Sequence, residues 1–100
     1  MSIIVVGAGI FGASTAFHLA RAGHPVTIVD PMLAGRATRA GAGIISPWSS
    51  LIEDPDWYAL ARRGAAFYPT VIEALAETGH TDIGYRRTGS MNGPATPQEL

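Results

Sequence analysis

Residues 2–30 read SIIVVGAGIFGASTAFHLARAGHPVTIVD, and this stretch decides the fold. Ser2-Ile3-Ile4-Val5-Val6 is a continuous, β-branched run stopped by Gly7, the pattern of a strand buried on both faces of a parallel sheet. Ile10, Ala13, Ala16, Phe17 and Ala20 then recur at helical spacing, and Gly23 marks a C-terminal stop. Pro25-Val26-Thr27-Ile28-Val29 is a second β-branched run, ended by Asp30-Pro31. Strand, helix and strand in about thirty residues make one right-handed βαβ unit.

Between the first strand and the helix lies Gly7-Ala8-Gly9-Ile10-Phe11-Gly12, a G-x-G-x-x-G. Gly7 permits the tight turn, Gly9 lets backbone approach a diphosphate, and Gly12 allows close packing of helix on strand. The helix N-terminus offers free N–H groups and a positive dipole end to the phosphates. Asp30 ends the second strand, where a carboxylate accepts hydrogen bonds from the ribose hydroxyls of an adenosine. That carboxylate would repel a 2′-phosphate, so NAD or FAD is favoured over NADP. Without a bound nucleotide, the same residues read as a plain βαβ with a glycine turn.

A second small-residue loop follows, from Gly35 to Pro47. Its small side chains let backbone amides reach a ligand, and Arg36, Thr38 and Arg39 offer phosphate donors. Ile44-Ile45 has the composition of a brief strand. With this loop included, the first 47 residues resemble the N-terminus of the D-amino acid oxidase/glycine oxidase family of FAD-dependent oxidoreductases. The resemblance rests on the Gly-rich turn at the chain start, the acid ending the second strand, Ala37-Thr38, and the closing Ala42-Gly43-Ile44. Asp30 stands where the family more often has Glu, and Gly41 where many members carry Asn.

The remaining sequence is helical from Asp56. Trp57, Leu60, Ala61, Gly64, Phe67, Tyr68, Val71, Ile72 and Leu75 form an apolar stripe that ends at Gly79. Pro69 lies inside it and predicts a kink or a break near residues 65–69. Residues 83–91 (Ile83 to Met91) read as a third, partly exposed strand. Phe67-Tyr68-Pro69 and Gly84-Tyr85-Arg86-Arg87-Thr88-Gly89 also resemble the family, at the point where its substrate domain begins.

Composition narrows the function classes. The chain has 100 residues, 47% hydrophobic and 15% charged, enough apolar character for a core. A net charge of −1 argues against a nucleic-acid partner. The charge is uneven: residues 1–52 hold three Arg against one acid, and residues 53–100 four Arg against seven, which suits an anionic ligand in the first half. There is no Cys, so no disulfide, thiolate metal site or cysteine nucleophile. His18, His24 and His80 are scattered without metal-ligand spacing, and they read as an exposed helix residue, a turn residue and a helix-end residue. No metal site, catalytic residue or obvious membrane segment is expected, and the default location is cytoplasmic.

The expectation is an α/β fold. Residues 1–47 form the βαβ and second loop of a Rossmann-like FAD-binding domain, and residues 48–100 form a helical segment and the start of a substrate domain. The cofactor-binding set is Gly7, Gly9, Ile10, Phe11, Gly12, Asp30, Pro31, Arg36, Ala37, Thr38, Ala42, Gly43 and Ile44. The resemblance implies oxidation of a small-molecule amine or amino acid by hydride transfer to flavin N5. Hydrolysis of the imine product and reoxidation by oxygen or an electron carrier would follow. It also implies that the substrate-binding side chains lie downstream, so the chain reads as an N-terminal part that is inactive alone. The alternatives are an NAD-dependent dehydrogenase sharing the first βαβ, weakened by the Gly/Ala loop after the second strand, and a non-catalytic truncated product.

Overall fold

A computed structural model describes residues 1–93 and divides the chain into two units, Met1–Ile44 and Ile45–Leu100. The last seven residues of the expected 48–100 segment lie outside the described residues.

The first unit is the βαβ. Strand β1 (Ile3–Val6) and strand β2 (Val26–Val29) pair in parallel, in the register Ile3 with Val26 through Val6 with Val29. Ladder bonds continue past both ends, from Ile3 N–H to Pro25 O and from Gly7 N–H to Val29 O. Helix α1 (Ile10–Arg21) makes the crossover and packs on both strands. It ends as its sequence requires. Gly23 takes φ +87°, Gly23 N–H bonds Ala20 O and His24 N–H bonds Leu19 O, so two orphan carbonyls of the last turn are satisfied.

Burial is shallower than the β-branched runs predict. Ala16 is the one buried residue of this unit, while Ile4 and Val6 remain 66% and 82% exposed. The reason is the layer count. Val5 points toward α1, and alternate residues of a strand point the opposite way, where these residues supply no second layer. The expected stripe on α1 is likewise only partly covered: Ile10, Ala13 and Ala20 are exposed. His18 departs from the expected exposure, being half-buried with its ring edge-on to Phe17.

The loop after β2 is more ordered than its composition predicts, since it contains the one-turn helix α2 (Ala37–Ala40). Ile44-Ile45 forms no strand.

The second unit is built on helix α3 (Pro55–Ala76), which packs on a 3₁₀ turn at Pro47–Ser49. Asp54 caps α3: its Oδ1 accepts from Asp56 N–H and Trp57 N–H, both at 2.9 Å, and Pro55 fills a first-turn position that needs no donor. The break expected near residues 65–69 does not occur. Pro69 sits inside one continuous helix, because a single missing N–H removes one bond from a ladder that the flanking turns propagate. At the far end, Gly79 N–H to Ala76 O and His80 N–H to Leu75 O repeat the closing pattern of α1. Ala74 is buried, but Trp57, Leu60 and Phe67 of the expected stripe stay exposed.

Residues 83–91 do not form the expected strand. Gly84 and Gly89 take φ +69° and +77°, which interrupts extended backbone, and no ladder partner is paired with the segment among the described residues. Side chains hold it instead. Tyr85 stacks on Tyr68 at 5.9 Å, and Trp48 Nε1 donates to Ser90 Oγ at 2.8 Å.

Candidate functional site

The Gly-rich turn between β1 and α1 is where the chain brings distant residues together. Gly7 reverses the chain at φ +99°. Gly12 faces the turn so closely that a Cβ there would lie 2.0 Å from Gly7 O and 3.4 Å from Val5 Cγ1. Helix and strand therefore meet through bare backbone, as the third glycine of this spacing allows. Gly9 precedes the first turn of α1 with no side chain to cap it.

Two acceptors from beyond β2 close on that turn. Asp30 Oδ2 accepts from Ala8 N–H at 2.6 Å, and Thr38 Oγ1 accepts from Ile10 N–H at 2.9 Å. A Cβ on Gly9 would stand 3.2 Å from the same Thr38 Oγ1, tighter than ordinary van der Waals contact. α2 carries Thr38 to the N-terminus of α1, so the second loop supplies the cap that Gly9 lacks.

Asp30 is the charged centre. Its Oδ1 accepts from Met32 N–H at 2.7 Å and lies 3.5 Å from Arg36 Nη2. The Ala8 N–H, then the Met32 N–H, hold the carboxyl below its ordinary value; partial burial opposes them, and Arg36 adds a smaller lowering. Asp30 is thus a carboxylate at neutral pH. With four lone-pair positions on its two oxygens, it still has acceptor capacity for hydroxyl donors.

Gly7, Gly9, Ile10, Gly12, Asp30 and Thr38 are therefore gathered at one helix N-terminus. Arg36 belongs to the Asp30 side of this cluster, where its Nε donates to Leu33 O at 3.2 Å. Phe11 and Pro31 flank the turn and the acid as exposed neighbours, Ala37 opens α2, and Ala42-Gly43-Ile44 lies exposed farther along the loop. Sequence reading missed Ala8, the amide that Asp30 clasps, and Met32, which has φ +57° and donates its N–H to Oδ1. Ala8 is an unspecified position of the G-x-G, and no residue type signals a left-handed Met. Among the described residues no three His, Asp or Glu side chains come together as metal ligands, and no helix is long and apolar enough to cross a membrane.

A bare-backbone turn at a helix N-terminus, with an acid at the end of the next parallel strand, defines a Rossmann-like dinucleotide-binding unit in an α/β protein. Residues 2–100 match the family model described as FAD dependent oxidoreductase (DAO), and the chain belongs to that family. Membership implies FAD binding. It is 50% identical over 91 residues to the uncharacterized oxidoreductase YurR of Bacillus subtilis, a match covering 91% of this chain and 24% of that protein. It is 44% identical over 79 residues to glycine oxidase of Pseudomonas aeruginosa, covering 77% of this chain and 22% of the oxidase. A D-amino acid dehydrogenase of Cereibacter sphaeroides is 53% identical over 49 residues, 47% of this chain and 11% of the dehydrogenase. The chain thus spans about a quarter or less of the length of these relatives. No solved structure gives a significant match.

Proposed function

We propose that these residues hold the adenosine diphosphate end of FAD in an enzyme that oxidises a small-molecule amine or amino acid. The observation that carries this reading is the double closure of the second loop on the Gly-rich turn, by Asp30 on Ala8 and by Thr38 on Ile10. That closure sets a carboxylate for ribose hydroxyls and a hydroxyl for phosphate oxygens on either side of a bare backbone. Gly9 leaves room for the diphosphate, and the N-terminus of α1 faces it with its positive end. Ala42-Gly43-Ile44 carries the loop on toward the flavin. Residues 48–100 begin the substrate domain.

The chemistry FAD supplies when bound is acceptance of two electrons, as a hydride, from the carbon that bears the amine. The product would be an imine, which water would hydrolyse, and oxygen or an electron carrier would take up the two electrons. The relatives' names, glycine oxidase and D-amino acid dehydrogenase, support an amino acid as substrate.

The test uses the longest natural polypeptide that contains this sequence. Purified and then denatured, it is expected to release FAD with a flavin absorbance spectrum, and the intact protein to oxidise glycine, sarcosine or a D-amino acid. Release of no flavin together with measurable NAD binding would overturn the reading in favour of a nicotinamide-dependent dehydrogenase.

A further inference from the structure

Arg36 was expected to donate to phosphate, but its guanidinium is turned elsewhere. Its Nε donates to Leu33 O at 3.2 Å, and its Nη2 lies 3.0 Å from Met32 Sδ and 3.5 Å from Asp30 Oδ1. All three partners belong to the turn that follows β2. The residue at the N-terminus of α1 is Thr38.

Four observations make this turn a built arrangement. The Arg36 and Asp30 side chains are 21% and 13% exposed, so their attraction is less screened than that of a free surface pair. Met32 holds a left-handed φ of +57°, unusual for a long side chain, while its N–H donates to Oδ1 at 2.7 Å. The Met32 sulfur and the Leu33 carbonyl both meet Arg36, which ties the strained residue down. Asp30 Oδ2 is meanwhile fixed on Ala8 N–H, in the Gly-rich turn itself.

We infer that Arg36 is a positioning residue for the Asp30 carboxylate: it locks Oδ1 and the turn around it, so that the lone pair left on Oδ2 faces a ribose hydroxyl of a bound adenosine diphosphate. This rests on the adenosine-binding reading of the site, but not on which cofactor carries the adenosine. A guanidinium suits the role better than an ammonium, because its Nε can hold the Leu33 carbonyl while a second nitrogen, Nη2, stands beside the carboxylate. The positive charge also keeps the carboxyl ionised, beside the larger effect of the two backbone donors.

A double-mutant cycle tests it, on the longest natural polypeptide containing the sequence, stripped of cofactor. ADP and FAD are titrated separately into wild type, Arg36→Ala, Asp30→Asn and the double variant, each checked for folding by circular dichroism. Arg36→Ala is expected to weaken ADP binding about fivefold in the wild-type background and by less than about twofold once Asp30 is Asn. Arg36→Gln, which keeps donors without charge, stands in if Arg36→Ala does not fold. A second readout is the acid limb of ADP binding, which should move to higher pH in the Arg36 variant because Asp30 protonates more easily. Equal losses in both backgrounds, or an unmoved acid limb, would overturn the role and return Arg36 to a direct ligand contact or a merely structural one. Wild type that binds ADP but not FAD would overturn the flavin reading while leaving the Arg36 cycle decisive. Wild type that binds neither would overturn both.

Discussion

The two units of this chain obtain order in different ways. In residues 1–44 the decisive bonds join positions far apart in sequence, Ala8 to Asp30 and Ile10 to Thr38, and they converge where side chains are absent. In the second unit a long helix has its cap two and three residues away, and the contacts between distant positions, Tyr85 on Tyr68 and Trp48 on Ser90, join side chains to side chains. The contrast shows what the proposed nucleotide-binding turn would demand. Backbone must stand open to a ligand, so neighbouring elements meet through glycine and little apolar surface is covered. A helix under no such demand can bear a proline in its interior and exposed Trp57, Leu60 and Phe67 on its surface.

The sharpest way to break this comparison is one substitution made in both units. Gly→Ala in a helix interior ordinarily gains about 1 kcal/mol from reduced chain entropy. At Gly12 the new Cβ would meet Gly7 O at 2.0 Å, a backbone atom that cannot swing aside as a side chain would. Overpacking of that kind costs about 3 kcal/mol, which overwhelms the propensity gain. Gly12→Ala should therefore lower the unfolding midpoint and release cofactor. At Gly64 a Cβ meets nothing within 4 Å, so Gly64→Ala should raise stability by about 1 kcal/mol. Urea unfolding of both variants measures the pair. Effects of the same sign would mean that the tight approach of α1 to the turn is not what fixes the first unit.

Helix capping gives a smaller contrast. The N-terminus of α1 receives Thr38 from 28 residues away, while α3 receives Asp54, the residue immediately before its first turn. Asp54→Ala should therefore cost about 1 kcal/mol of stability and leave nucleotide affinity unchanged. A loss of FAD affinity in Asp54→Ala would show that the cap of α3 serves the cofactor site as well.

These differences also explain what could be read from the sequence. β1, α1 and β2 were legible because a β-branched run, a helical spacing and a terminal glycine are local signals. The roles of Gly7 and Gly12 followed from a spacing with a mechanical reason. The partner of Asp30 did not, because the clasp on Ala8 depends on where a parallel register sets the end of β2 beside the start of the turn. The direction of Arg36 was hidden for a similar reason: a lone guanidinium near a Gly-rich loop reads as a phosphate donor until Met32 and Leu33 turn it toward the acid. Residues 83–91 carried strand-like residues, yet a strand needs a ladder partner as well as composition. Of the kink or break that Pro69 signals, the break is overridden by helix on both sides.

The smallest expected effect is the acid dependence that Asp30 gives the first unit. Its carboxyl is held below its ordinary value of 3.8, chiefly by the Ala8 N–H and then by the Met32 N–H. A carboxyl whose value is lowered by folding binds its proton more weakly in the folded state than in the unfolded one. Its ionised form therefore stabilises the fold above 3.8, and that contribution is lost as the pH falls through the lowered value. Asp30→Asn keeps the size of the side chain but removes the titration. Acid titrations of wild type and Asp30→Asn, followed by urea midpoint, should differ most at neutral pH and converge as the solution is acidified below 3.8. A gap that stays constant through that range would show that the two backbone donors hold a neutral group as well as a charged one, and that the first unit is set by the shape of its turn alone.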